Sequence, residues 1–133
     1  MKVDYEKIKE ILIVFEENNK PTINTLGLFS TLNYDTNNQE DFDIVWHYLK
    51  LLREQDLIEC LNDSENNLGI SFTGSGQPII SVKNFRLTII GHQTLETMKT
   101  NKAWEKVKDG LKTIGIHSLK NIPTLAIKMI SEQ

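Results

Sequence analysis

The sequence is poor in cysteine and has no long apolar run. Cys60 is the only cysteine, which excludes an internal disulfide and a cysteine-based metal cluster and favours a reducing compartment such as the cytoplasm. No stretch approaches the roughly 18 apolar residues of a membrane span. Met1 is followed closely by the charged residues Lys2 and Asp4, so we expect a soluble chain with no signal peptide and no membrane partner.

Motifs for catalysis and cofactor binding are also missing. His47 and His92 could pair on a metal, but no third ligand stands at a recognisable spacing, and His117 is isolated. The Gly74-Ser75-Gly76 segment lacks the Gly-Lys-Ser/Thr of a phosphate loop. Cys60 lies in an apolar run, which is typical of a small buried side chain rather than a nucleophile. We therefore expect no enzyme activity, no metal and no cofactor.

Charge is distributed unevenly along the chain. The net charge is −3 over 133 residues, of which 39% are hydrophobic, a length and composition that suit one globular domain. Residues 1–66 carry six bases against fourteen acids, whereas residues 67–133 carry nine bases against four acids. An acidic first half and a basic second half bear on the choice of partner more than the total charge does.

Two amphipathic helices are predicted in the first half. Apolar residues recur at helical spacing over 4–18, with Asp4 as the N-cap, and again over about 40–55. On the second helix Asp43, His47, Lys50 and Glu54 return to one face, which is the expected solvent or partner face. The intervening segment 18–39 is predicted to contain a loop, an extended piece or a short helix.

Short strands are predicted after the second helix. The segments 57–61 and 68–72 are separated by a polar turn and indicate two strands joined as a hairpin. The segments 79–82 and 85–87 add further extended chain, and together these pieces form a β-wing.

Helices are predicted again from residue 89 onwards. Thr88 precedes a helix over about 89–100, and Gly91 in its first turn permits close approach of helix and sheet. Residues 101–133 carry two further apolar stripes, and Pro123 is tolerable near a first helical turn. The expected organisation is an α+β, winged-helix-like domain over 1–100 with a C-terminal helical extension over 101–133.

This order of elements is similar to the winged-helix arrangement of many microbial regulators. Three motifs resemble a family of small bacterial and prophage proteins that is known only as a domain of unknown function. These motifs are His47-Tyr48-Leu49-x-Leu51-Leu52 running into Asp56-Leu57-Ile58, Leu87-Thr88-Ile89-Ile90-Gly91-His92 with Leu95, and Trp104 with Lys106-Val107-Lys108. The chain departs from that family at Asp56, where glycine is usual, and at Ile89-Ile90, where an aromatic is common. The resemblance implies a winged-helix fold and a phage or prophage setting.

Duplex DNA is the first partner to consider, because winged-helix domains commonly place their second helix in the major groove. The expected contacts are basic residues of the helix, the wing and the tail: Lys50, Arg53, Lys83, Arg86, Lys102 and Lys106. The helix over 40–55 nevertheless carries four acids against two bases, which disfavours its approach to phosphates. The basic surface should therefore carry much of any DNA binding.

Protein recognition is the alternative, either as self-association in a homodimer or as docking on a host or phage protein, through the acidic face of the helix over 40–55 or through the apolar C-terminal helices. The tail has more apolar residues than a compact winged helix needs, and a surplus of that kind often becomes an interface. The expected interface residues are Trp104, Leu111, Ile114, Leu125 and Met129. These side chains could equally fold back on the first helix and complete the monomer core. Both hypotheses describe a non-enzymatic regulatory binding module.

Overall fold

The computed structural model describes residues 2–114 and 119–131, and within these ranges it does not describe the side chains at 101, 110–114 and 129–131. The fold is mixed α+β, with helices and two small antiparallel sheets. The helices are α1 Tyr5–Glu17, α2 Thr25–Thr31, α3 Gln39–Glu54, α4 Ile89–Lys99, α5 Asn101–Ile114 and α6 Ile122–Ser131, the last preceded by a 3-10 turn over Leu119–Asn121. The strands are β1 Ile23–Asn24, β2 Ile58–Leu61, β3 Ile70–Phe72, β4 Pro78–Ile80 and β5 Asn84–Leu87.

The helices form where the amphipathic spacing predicts them. Side-chain caps fix their starts, because the side chains of Asp4, Asn24 and Thr88 accept hydrogen bonds from backbone N–H groups in the first turns of α1, α2 and α4. The segment 18–39, for which the sequence left several conformations open, forms β1, the short helix α2 and loops. Pro123 lies in the first turn of α6, where a missing N–H breaks no helical hydrogen bond.

The predicted pairing of the segments 57–61 and 68–72 is wrong. Instead β5 runs between β1 and β2 in a three-stranded sheet, whereas β3 pairs with β4 in a separate hairpin. The strand β5 alternates buried Phe85 and Leu87 with exposed Asn84 and Arg86, so one face covers the core as a half-buried strand requires. The chain between β2 and β3 does not double back along β2, and it contains left-handed residues at 62, 66 and 68.

A single cluster of buried apolar side chains joins all parts of the described chain. It includes Ile8 and Leu12 of α1, Phe42 of α3 and Phe85 of β5, together with residues of the C-terminal helices. The C-terminal members are Trp104, Val107, Leu119, Ile122 and Ala126. The described part of 101–131 therefore packs on the same core as the first hundred residues, with α5 and α6 against α4.

Helix α4 lies close against Leu57, the residue that precedes β2. A Cβ atom placed on Gly91 would lie 2.1 Å from the carbonyl oxygen of Leu57. The same oxygen accepts a hydrogen bond from the backbone N–H of Thr88, at 3.1 Å. Close approach at Gly91 is thus confirmed as the reason for a glycine in the first turn of α4.

Helix α3 ends in a left-handed residue. Asp56 has φ +61°, and the N–H of Leu57 donates to the carbonyl oxygen of Leu52 at 2.9 Å. This is the Schellman arrangement, in which the left-handed position usually holds glycine. Aspartate is among the few residues other than glycine that adopt this conformation.

Among the described residues, no helix combines the length and the apolar character that a membrane span requires.

Candidate binding surface

The outward face of α3 is acidic. The helix buries Phe42, Val45, Leu49 and Leu52, and it turns three carboxylates and one ammonium outwards. Exposed along it are Glu40, Asp43, Lys50 and Glu54. The face predicted to meet solvent or a partner is confirmed as exposed at 43, 50 and 54, and its net charge is negative.

His47 departs from the rest of that face. It is half-buried, its ring meets the Tyr48 ring edge-on at 5.3 Å, and its Nε2 atom is buried without a hydrogen-bond partner among the described residues. Because its ring packs against Tyr48, His47 is less exposed than the other residues of this face of α3.

The hairpin β3–β4 covers one flank of α3 with aromatic contacts. Phe72 meets the buried Phe42 ring at 6.4 Å and the Trp46 ring at 5.4 Å, both nearly perpendicular, and Phe42 stacks on Phe29. Phe72 is 46% exposed and Trp46 is half-buried. We call Trp46 and Phe72 the aromatic corner, and we call Asp43, Lys50 and the aromatic corner together the α3–hairpin surface.

Lys50 lies over the Trp46 ring, with Nζ 5.5 Å from the ring centroid. This is within the distance at which an ammonium group is attracted by the face of an indole. The contact spans one helical turn and places a positive charge on the open side of the aromatic corner.

Arg53 does not project towards a partner as the sequence predicts. Its guanidinium contacts the Asp63 carboxylate at 2.5 Å and donates to the Asn66 carbonyl at 3.0 Å. Burial raises the pKa of Asp63, but hydrogen bonds from the backbone N–H groups of Leu68 and Asn67 and the Arg53 charge outweigh burial and hold that pKa below its ordinary value. Arg53 therefore holds the 62–69 loop.

Two further predicted DNA contacts also have internal partners. The Arg86 guanidinium pairs with the Glu59 carboxylate across β5 and β2 at 2.7 Å. Lys83 Nζ donates to the Asn62 carbonyl at 3.0 Å, and the Lys83 backbone exchanges hydrogen bonds with Thr25. Both side chains thus help to join neighbouring segments of the fold.

The remaining predicted contacts, Lys102 and Lys106, lie on α5. Lys102 is exposed and Lys106 is half-buried, and neither has a salt-bridge partner within the described ranges 2–114 and 119–131. Acidic residues at 105 and 109 share the helix with them. Lysines and carboxylates are therefore interspersed on α5, which does not form a uniformly basic face.

Of the predicted interface residues, Trp104 belongs to the core. It is 3% exposed, its ring meets the Tyr5 ring edge-on at 5.9 Å, and its Nε1–H points to the Glu6 carboxylate at 3.4 Å. Because Trp104 packs against α1, its side chain is not available to a protein interface. Leu125 is half-buried on the core, whereas the side chains of Leu111, Ile114 and Met129 lie outside the described residues.

The candidate chemical groups are not brought together. His92 is exposed, and its backbone N–H, not its ring, joins the first turn of α4. Cys60 is half-buried, and burial above all raises the pKa of its thiol to about 11. The segment 74–76 is part of the turn between β3 and β4. Within the described chain no group of three His, Cys, Asp or Glu side chains could hold a metal ion.

Comparison with known proteins gives one family. The profile that matches residues 2–117 is that of "Hypothetical protein (DUF2513)". The chain belongs to the DUF2513 family. No curated protein and no solved structure matches it. The matched residues include all five strands and the helices α1 to α5. The α3–hairpin surface therefore lies within the family domain.

Proposed function

We propose that this DUF2513 chain is a non-enzymatic recognition module of the winged-helix type, and that it docks on another protein through its α3–hairpin surface. The order α1, β1, α2, α3, β2, hairpin, β5 supports the winged-helix assignment, because that fold places a helix and a strand-borne wing side by side. The partner is a phage or host protein, and the single cysteine favours a reducing compartment such as the cytoplasm.

The aromatic corner carries this proposal. Two large aromatic side chains, Trp46 and Phe72, stand partly exposed beside an acidic helix face. Exposed aromatic residues are enriched where proteins bind one another. Duplex DNA gains nothing comparable from Glu40, Asp43 and Glu54, since DNA affinity comes from phosphate contacts with lysine and arginine.

Differential capture from the native host tests the proposal. Phe72→Ser and Asp43→Lys change the α3–hairpin surface, whereas Ile89→Ser and Ile127→Ser change apolar side chains that are 78% and 71% exposed elsewhere. We expect a protein that survives nuclease treatment, binds the wild type and both control variants, and is lost with the two surface variants. Equal capture by all five proteins, or loss of capture on nuclease treatment, would contradict the proposal.

Duplex DNA is the second candidate. It is favoured by the element order and by Lys50, Lys102 and Lys106, for which no carboxylate partner is found among the described side chains. Because Lys83 and Arg86 have structural contacts, reversing their charge would disturb the sheet as well as any DNA contact. Lys102→Glu with Lys106→Glu is the cleaner variant. DNA binding predicts a low-salt gel shift with the wild type that this double variant loses.

A further inference from the structure

The aromatic corner presents a ring face that can take a cation. The rings of Trp46 and Phe72 meet nearly perpendicular with their centroids 5.4 Å apart, which is direct edge-to-face contact and leaves no room for a group between them. A positive group of a partner would instead lie over the Trp46 ring, where Lys50 Nζ now lies. The buried Phe42 ring contacts Phe72 and so helps to fix the corner.

The chain itself shows that the indole face accepts a positive charge. Lys50 Nζ lies 5.5 Å from the Trp46 ring centroid, and Lys50 is exposed. An exposed lysine on a flexible stem is held weakly, because such a cation–π contact changes an equilibrium constant by only about two- to five-fold. A better-fitting cation from a partner can therefore displace it.

Carboxylates near the corner also favour a cation, and they oppose the single positive charge of Lys50. Asp43 lies one helical turn before Trp46, on the same side of α3, and Glu40 precedes it by three residues. The Asp43 carboxylate accepts a hydrogen bond from the Gln39 amide at 2.8 Å, which leaves its negative charge unneutralised. Arg53 does not offset this charge, since it pairs with Asp63.

We propose that the α3–hairpin surface binds a basic, apolar segment of the partner protein, with an arginine side chain over the Trp46 ring of the aromatic corner and Asp43 as its counter-ion. Arginine suits this site better than lysine, because its planar guanidinium stacks on an aromatic ring while pairing with a carboxylate. Lys50 acts as an internal competitor for the same ring face. This inference rests on the proposed protein-recognition function and names the chemistry of its partner.

The two tryptophans allow a test with defined peptides. The probe is a capped peptide of alternating arginine and leucine, and its matched controls carry glutamine or glutamate in place of each arginine. The indole N–H resonances are followed by NMR during titration at low salt. Trp104 is buried against α1 and serves as the internal reference that should not move.

We expect the Trp46 resonance to shift saturably with the arginine peptide, and the glutamine peptide to bind about three-fold or more weakly, as loss of a cation–π contact implies. Lys50→Met should tighten arginine-peptide binding by about two- to five-fold, because it removes the competitor and a like charge. Asp43→Asn should weaken binding by a similar factor. The glutamate peptide should leave both resonances in place.

Two results would overturn this inference without touching the proposed function. One is equal binding of the arginine and glutamine peptides, with no effect of Lys50→Met. The other is a Trp46 resonance that no peptide moves, although Phe72→Ser abolishes capture of a host protein. Equal capture of host proteins by the wild type, the two surface variants and the two control variants would instead refute protein docking itself.

Discussion

Replacing Gly91 with alanine should destabilise the protein, because the new Cβ atom would lie 2.1 Å from the Leu57 carbonyl oxygen. Overpacking of this kind costs about 1–3 kcal/mol. Moving the oxygen away would also strain its hydrogen bond from Thr88, which contributes about 1 kcal/mol. The higher helix propensity of alanine offsets about 1 kcal/mol of this destabilisation. The free energy of unfolding should therefore fall by about 2 kcal/mol.

Gly74→Ala is the matched control, since nothing lies within 4 Å of a Cβ atom at Gly74. Its effect should stay within about 0.5 kcal/mol. Urea unfolding followed by far-UV circular dichroism measures both variants against the wild type. If Gly91→Ala proves as stable as Gly74→Ala, the close contact between α4 and Leu57 does not exist as described.

Three further predictions follow from individual residues. Asp56→Gly should raise the midpoint of urea unfolding by an amount equivalent to about 0.5–1 kcal/mol, because it relieves a left-handed φ of +61°; Asp56→Ala should lower the midpoint. Asp63→Asn should cost about 3 kcal/mol at neutral pH, since it leaves the half-buried Arg53 without its carboxylate. The folded-state pKa of Asp63 is lowered, so the stabilisation that its carboxylate supplies is present above the unfolded pKa of about 3.9 and is lost as pH falls through the folded value. Chemical denaturation at several pH values should therefore show that the free energies of unfolding of Asp63→Asn and the wild type approach each other below about pH 4. Cys60, with a thiol pKa raised to about 11, should react with iodoacetamide at pH 8 far more slowly in the folded protein than in urea, and equal rates would refute the raised value.

The helices were predictable because their signals are local. Apolar spacing and the caps Asp4 and Thr88 each act within a few residues of chain. These features need no knowledge of what packs against them.

The pairing of strands could not be derived in the same way. The strand β2 pairs with β5 across more than twenty intervening residues, and the local pattern around 57–72 favours a simple hairpin instead. The deciding interactions are the Arg53–Asp63 pair and the left-handed residues of the 62–69 loop. Asn and Asp tolerate that conformation, but Leu68 gives no sequence signal for it.

Only part of the candidate site was predicted, because the face of α3 with Asp43 and Lys50 was expected to meet solvent or a partner, whereas the aromatic corner was not foreseen. Counting charges selects Arg53 and Arg86 as contacts, although acidic partners on other segments already neutralise them. The aromatic corner depends on the hairpin returning to α3, so the distant residues Trp46 and Phe72 show no joint pattern. Phe72 alone gives no signal, because phenylalanine is an ordinary residue in a predicted strand.

Photo-crosslinking from single positions tests the central claim most directly. Benzoylphenylalanine at position 50 would stand on the α3–hairpin surface, and at position 102 it would stand on the exposed side of α5. In the native host, protein docking through the α3–hairpin surface predicts a discrete protein adduct from position 50, resistant to nuclease, and none from position 102. An adduct from position 102 alone, or crosslinks only to nucleic acid, would contradict the account.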